Sequence, residues 1–338
     1  MKDETIQLGH GGGGVMSRDL IRGEIMTRFG QEGALRGLPD AATLPVPRAG
    51  ALVFTTDSFV VQPIEFPGGN IGDLAVHGTV NDLAVSGGRP RWMSLALILE
   101  EGLPLSVLRR VLDSVQAAAA ACDLSVVTGD TKVVGRGQCD GLYINTAGIG
   151  ELMDGFNLGP ERIAAGDHLL VSGPLGDHGM AVLAARESIR IENGPLSDSA
   201  PVHRLVLAIQ DLAPSIRFMR DPTRGGLAAV TNEMVEGRPF GVLLKETSLP
   251  FSPGTRAVAE LLGLDPLQVA SEGRMVLVCE AGASEAILNI WRGLPEGRGA
   301  VKIGEVTAAS SGRVVLETVT GGRRLVDVPH GELLPRIC

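Results

Sequence analysis

Apolar residues recur along the first half of the chain in two periods. Ala51 to Thr56 and Trp92 to Leu99 are short apolar runs bounded by glycine or proline, which predicts buried strands. Leu105, Leu108, Val111, Leu112 and Val115 recur at helical spacing after Pro104, and an alanine-rich stretch carries the pattern to Cys122, which predicts a core-facing helix. Ser17 is the expected N-cap of an earlier helix bearing Leu20, Ile21, Ile25 and Phe29, with Gly30 as its stop.

The pattern breaks between Glu151 and Gly159, where Gly155, Gly159 and Pro160 interrupt it, and resumes with a predicted strand over His168 to Ser172. The second half repeats the alternation. Helices are expected near Val202 to Leu212 and Leu227 to Val235, and strands near Met275 to Cys279 and Arg313 to Glu317. The expected fold class is α/β (α+β) in two units, 1–152 and 153–328, followed by a mobile tail, 329–338. A chain of 338 residues exceeds the usual size of a single core, which agrees with that division.

Composition narrows the classes. Aromatics are only 3% of residues while glycines number 46, so the core must be aliphatic and the turns numerous. A net charge of −9 opposes long-range attraction to nucleic acid or an anionic membrane, so any phosphate ligand must be held locally. No stretch approaches the roughly 20 apolar residues of a membrane span, and the start MKDETIQLGH has no signal-peptide core, so a cytoplasmic protein is expected.

The motifs differ in weight. Gly9 to Gly14 satisfies a GxGxxG pattern trivially, without the preceding strand or later acidic residue of a dinucleotide site; it reads equally as a phosphate-approaching flap or a disordered start. No GxxxxGK[ST] stretch exists, which disfavours a P-loop enzyme. Asp57, Asp82, Asp130 and Asp221 sit at strand ends and in loops. Singly each reads as a turn or cap residue, but four carboxylates gathered from separate loops suit Mg²⁺, which takes oxygen ligands and shares them with phosphates. Gly225 and Gly226 precede a helical pattern and would let a phosphate approach backbone N–H groups. Lys132 and Glu272 are equally readable as surface charges by type. The six histidines show no metal-binding spacing.

Cys122, Cys139 and Cys279 read as buried thiols, whereas Cys338 is the last residue. A prenylation signal puts cysteine fourth from the end, so that reading fails. What remains is an exposed thiol on a tether that reaches about 30 Å from Pro329 when extended, at roughly 3.3 Å per residue.

Taken together, FTTDSFVV, VNDLAVSGG, TGDTKVV, SGPLGDHGMAVL, RDPTRGGL, SEGRMVLV and the terminal PRIC resemble the HypE family of hydrogenase maturation proteins. A looser likeness, through Asp57, Asn81, Asp82 and Asp221, is to the aminoimidazole ribonucleotide synthetase (PurM-like) superfamily. The resemblance implies an N-terminal α/β domain that pairs with a second copy into a dimeric β-barrel, plus a C-terminal α/β domain. It also implies ATP-dependent dehydration of an S-carboxamide on Cys338 to a thiocyanate, the source of hydrogenase cyanide ligands.

The implied cofactors are ATP and Mg²⁺. Asp57, Asp82, Asp130 and Asp221 become ligands of metal or nucleotide, with Asn81, Thr131, Gly225 and Gly226 also at the nucleotide. Cys338, Glu272 and Lys132 become the reacting thiol, the base and its electrostatic partner. Implied partners are a HypF-like carbamoyltransferase, a HypC–HypD-type iron-carrying complex and a second copy of the chain. Competing readings are another ATP-dependent member of the superfamily, such as selenophosphate synthetase or thiamine-monophosphate kinase, and a nucleotide-binding assembly scaffold. The first of these needs a nucleophilic cysteine or selenocysteine beside the glycine tract, and none is there.

Overall fold

A computed structural model describes residues 4–12, 14–30, 41–45 and 50–328. Helix α1 (Val15–Leu20) runs through a π-helical turn, Ile21–Ile25, into α2 (Met26–Phe29). Gly30 ends this segment at φ +79°, a conformation that favours glycine, as expected. Ser17 is not the cap. The cap is Gly14, three residues earlier, and the Ser17 hydroxyl instead donates to the carbonyl of His10 at 2.7 Å. That bond fastens the glycine-rich start, whose Leu8–Gly11 turn packs with Gly11 against Val133.

The first sheet comprises β1 (Leu52–Phe59), β4 (Gly88–Glu100), β5 (Ser125–Val134) and β6 (Leu142–Leu152) in the order β1-β6-β4-β5. A small hairpin, β2 (Glu65–Phe66) and β3 (Gly69–Asn70), leads into α3 (Ile71–Val85), and α4 (Leu105–Ala121) connects β4 to β5. Asn70 caps α3, accepting from the N–H of Gly72 at 2.8 Å. Both helices cover one face of the sheet. Their aliphatic stripes, including Leu74, Leu108 and Leu112, close on Leu95, Leu97 and Ile144 in one core. The strands predicted at 51–56 and 92–99 are both present and longer than their apolar runs, because alternate positions face outward and carry polar or small residues.

The second sheet has seven strands in the order β13-β12-β9-β11-β7-β10-β8. They are β7 (His168–Val171), β8 (Ile216–Arg220), β9 (Gly241–Lys245), β10 (Val276–Cys279), β11 (Val301–Thr307), β12 (Val314–Glu317) and β13 (Arg323–Leu325). Helices α5 (Asp177–Arg186), α6 (His203–Ala208), α7 (Gly226–Val235), α8 (Pro253–Leu262) and α9 (Ser284–Arg292) connect and cover it. The helix expected over 202–212 stops at Ala208 and continues as a 3₁₀ segment that contains Pro214, which has no N–H to extend an α-helical ladder. Ala84 and Val85, at the end of α3, join a core shared with Leu205, Ile287 and Trp291, so the two sheets are fastened through α3.

Cys122, Cys139 and Cys279 are buried free thiols. Burial pushes Cys122 and Cys279 up to about 12, so neither is a nucleophile. Cys338 and the 329–338 tail lie outside the described residues. Among the described residues no helix is long and apolar enough to cross a membrane.

Candidate active site

Where α3 meets the second sheet, a cleft of about 170 Å³ is lined by Thr56, Asp57, Ser58, Phe59, Gly78, Asp82, Asp221, Thr223, Arg224 and Glu272. Four of the predicted residues, Asp57, Asp82, Asp221 and Glu272, are therefore brought together from distant segments. Asp57 comes from β1, Asp82 from α3, Asp221 from the loop after β8, and Glu272 from the turn before β10. Asp221 and Glu272 are only 8% and 3% exposed, so neither is an ordinary surface charge.

Side-chain alternation on β1 turns Thr55 and Asp57 toward α3. The Thr55 hydroxyl donates to Asp82 Oδ2 at 2.7 Å, and the N–H of Ser58 donates to Asp57 Oδ1 at 2.8 Å. Burial pushes Asp57 above its usual range and neighbouring Asp82 adds to this, while the Ser58 N–H and Arg224 oppose it. Burial likewise raises Asp82, against the Thr55 hydrogen bond and Arg220. Asp221 is pushed up to about 7, first by burial and then by the charges of Asp82 and Asp57. Three carboxylates that repel one another in a desolvated cleft form a site with a deficit of positive charge.

Among the described residues, no group of three or more His, Cys, Asp or Glu side chains forms a ready-made metal centre. The donor set nevertheless fits Mg²⁺, which keeps waters and needs only one or two carboxylates when phosphates complete its shell. Arg224 supplies the cleft with a cation, and sequence reasoning missed it together with Thr223. Its position inside the RDPTRGG motif was the available signal.

Other predicted residues fall elsewhere. Gly225 and Gly226 adopt φ +76° and +59° and do not line the cleft. A Cβ on Gly226 would lie 2.6 Å from the carbonyls of Leu267 and Val269, so this glycine serves the tight entry into α7. Asn81 is buried and ties backbones together. Its Nδ2 donates to the carbonyls of Glu272 and Ala200, and its Oδ1 accepts from the N–H of Val202.

Asp130, Thr131 and Lys132 lie on β5, at the opposite edge of the sheet from β1. Ser58, Asn145, Ala96 and Asp130 form one cross-strand row, so Asp130 lies three strand spacings, roughly 14 Å, from the β1 position next to Asp57. Asp130 and Lys132 also share the sheet face turned away from the helices, with Ala96 and Ile98 as their partners in register. Within one chain they do not join the acidic cleft.

The two sheets, their helices and an acidic cleft between them define an α/β protein of the PurM-like class. The AIR synthase related protein N-terminal domain family matches residues 39–152, and the corresponding C-terminal domain family matches residues 164–317. A carbamoyl dehydratase HypE of Bradyrhizobium diazoefficiens is 47% identical over 339 residues, covering 100% of this chain and 97% of that protein. A HypE of Escherichia coli K12, also named carbamoyl dehydratase, is 44% identical over 99% of both chains. A crystal structure of a HypE in complex with ATP superposes with a TM-score of 0.93 at 42% identity, covering 99% of this chain and 100% of that one. The chain belongs to the HypE family of hydrogenase maturation proteins.

Proposed function

We propose that the chain uses ATP to dehydrate a carboxamide carried on the sulfur of its own Cys338, giving a thiocyanate whose cyanide becomes a ligand of the Fe(CN)₂CO centre of a [NiFe]-hydrogenase. The observation that carries the reading is the interdomain cleft in which Asp57, Asp82 and Asp221 face Arg224 and Glu272. A relative over the whole chain is named for this reaction, and another is described bound to ATP.

Asp57, Asp82 and Asp221 would hold Mg²⁺ with the phosphates, and the ion would neutralise charge developing on the transferred phosphoryl group. The carboxamide oxygen attacks the γ-phosphorus, ADP leaves, and one N–H proton is lost, so that oxygen becomes part of a good leaving group. Glu272 accepts the remaining N–H proton as the C–O bond breaks. Phosphate departs and S–C≡N remains. Arg224 stabilises the phosphoryl oxygens from the cleft wall.

The tail 329–338 is the tether that brings Cys338 to this cleft from the two domains, 1–152 and 153–328. A HypF-like carbamoyltransferase supplies the carboxamide, a reading supported by a structure described as a HypE-HypF complex, 40% identical over 92% of this chain with a TM-score of 0.80. A HypC–HypD-type complex carries the iron that takes the cyanide. The cytoplasm, which supplies ATP, is the expected location.

A homodimer is supported by the outer face of the first sheet, where Leu52, Phe54 and Ile98 are 53%, 65% and 37% exposed, an area that pairing with a second copy would cover. It also gives Asp130, Thr131 and Lys132 a route to the chemistry, at the cleft of the other copy. The decisive experiment follows intact mass after incubation with a carbamoyltransferase and then ATP. A carbamoyl increment followed by loss of one water, both absent in Cys338→Ala, is the expected result. A water loss that survives Cys338→Ala rejects the reading.

A further inference from the structure

Glu272 is held through both of its backbone polar groups. Its N–H donates to Asp198 Oδ1 at 2.9 Å, and its carbonyl accepts from Asn81 Nδ2 at 2.9 Å. Asn81 belongs to α3, whereas Asp198 belongs to the segment 195–202 that leads into α6. That segment is itself laid against the first domain. Ser199 shares a hydrogen bond of 2.9 Å with the His77 ring, and the N–H of Ser197 donates to the carbonyl of Pro67 at 2.8 Å.

The turn after Glu272 is built to accept this segment. A Cβ on Gly273 would sit 1.8 Å from the Asp198 carbonyl, so only glycine permits the approach. The Asp198 side chain is 1% exposed. Its second oxygen, Oδ2, is buried without a hydrogen-bond partner and faces Arg274 Nε at 3.6 Å. Arg274 in turn donates from Nε to the carbonyl of Pro174 at 2.9 Å, and from its terminal nitrogen to that of Gly273 at 3.2 Å. One buried carboxyl thus fastens both ends of the Glu272–Arg274 turn.

The acid accepts the Glu272 N–H with one oxygen while the other faces the Arg274 guanidinium, so it holds the turn at two points where a neutral acceptor would keep the first and weaken the second. The arrangement is explained when the placement of the residue between those two anchors matters. We propose that Asp198 is a positioning residue for the dehydration, fixing through the N–H of Glu272 where that residue's carboxyl stands in the cleft. The proposal rests on the reading of Glu272 as the base. It also makes the position of Glu272 depend on contact between the two domains, since Asn81 of the first domain holds its carbonyl and Asp198, in a segment laid against that domain, holds its N–H.

The test uses the full chain, preloaded with the carboxamide, and follows water loss by intact mass in a single turnover after adding Mg²⁺-ATP. Nucleotide affinity is measured by calorimetry and folding by thermal melts. Asp198→Ala should slow water loss by about 100-fold, the scale of an ångström-level misplacement, while nucleotide affinity changes by less than about threefold. Asp198→Asn offers an oxygen to the same N–H and should recover the rate to within about tenfold of the native chain. Asp198→Ala combined with Glu272→Gln should be no slower than Glu272→Gln alone, because the two changes disable one function.

Native water loss in Asp198→Ala overturns the proposal, as does a double variant that loses the product of the two single effects. If Asp198→Ala does not fold, a folded Asp198→Asn as slow as Glu272→Gln overturns it, and recovery within tenfold supports it. Slow Glu272→Gln with native Asp198→Ala rejects the positioning role alone. Native water loss in Glu272→Gln rejects the assignment of the base and, with it, the role of Asp198.

Discussion

The hydroxyl of Thr55 donates to Asp82 Oδ2 at 2.7 Å, joining the inner face of β1 to the helix α3 that faces it. The bond lowers a carboxyl that burial raises, and it aims that carboxyl at the cleft shared with Asp57 and Asp221. Thr55 does not itself line the cleft, so its contribution is confined to the state and orientation of Asp82.

Thr55→Val keeps the shape of the side chain and removes the donor. Asp82 then loses a stabiliser of its charged form, and its capacity to help hold Mg²⁺-ATP declines. A net hydrogen bond contributes about 1 kcal/mol, so affinity for Mg²⁺-ATP should fall by roughly fivefold to tenfold at neutral pH with folding retained. Calorimetry checks this, and unchanged affinity would remove Thr55 from the account.

Asp57→Asn or Asp82→Asn should weaken Mg²⁺-ATP binding much further while leaving the fold intact. Lys132→Ala should bind nucleotide but dehydrate slowly. Because Lys132 and Asp57 lie on opposite edges of one sheet, co-expression of Asp57→Asn and Lys132→Ala chains should restore part of the activity that each lacks alone. In such a mixed dimer one cleft would receive both native residues. Absence of any restoration in a mixed dimer confirmed by native mass would reject a site shared between copies.

Much of this site was legible in the sequence because carboxylates at strand ends belong to short motifs with distinct neighbours. Asp57, Asp82 and Asp221 are found that way, whereas Glu272 reads by type as a surface charge and is singled out only by the family resemblance; all four line the cleft. Asn81, Gly225 and Gly226 come from the same motifs and turn out to support backbone, which spacing does not distinguish from ligand contact. The face and edge occupied by Asp130 and Lys132 depend on the order β1-β6-β4-β5, a long-range arrangement that local periodicity does not encode. Asp198 was missed for a related reason. It occupies no motif, and its importance arises from burial beside a turn more than 70 residues later.

Acid should destabilise the fold through two desolvated histidines, His178 fully buried and His77 partly so. Burial lowers His77 to about 4, with His203 adding a smaller push, and burial lowers His178 to about 3. Each is neutral in the folded chain and titrates near 6.5 when unfolded, so its stabilisation is complete above that value and is lost as pH falls through the folded pKa. For His77 the loss is roughly 3 kcal/mol, at about 1.4 kcal/mol per unit. Asp198 and Asp221, raised to about 6 and about 7, act in the opposite sense, their stabilisation being lost as pH rises through those values. His77→Asn keeps a partner for Ser199 without the titration. Thermal melts between pH 6.5 and 4 should show a shallower decline than in the native chain, and an unchanged slope would exclude His77 as a source.

Arg224 supplies the last expectation. The cleft presents Asp57, Asp82, Asp221 and Glu272 to a nucleotide that is itself strongly anionic, and Arg224 is the cation among the lining residues. A bound Mg²⁺ would offset part of this repulsion in the ground state. As the γ-phosphoryl group transfers, however, charge redistributes over its peripheral oxygens, and a fixed guanidinium is favoured there because it needs no reorganisation. Arg224→Ala should therefore reduce nucleotide affinity modestly and the single-turnover dehydration rate by about 100-fold or more, the scale seen when a fixed donor is removed from developing charge. Arg224→Lys should recover only part of the rate, because an ammonium lacks the planar fork that contacts two oxygens together. Phosphate release and intact mass, followed in one experiment on the carbamoylated chain, separate the steps. A delay in both signals places Arg224 at phosphoryl transfer, whereas native phosphate release with delayed water loss would assign it to the later step and reject this role.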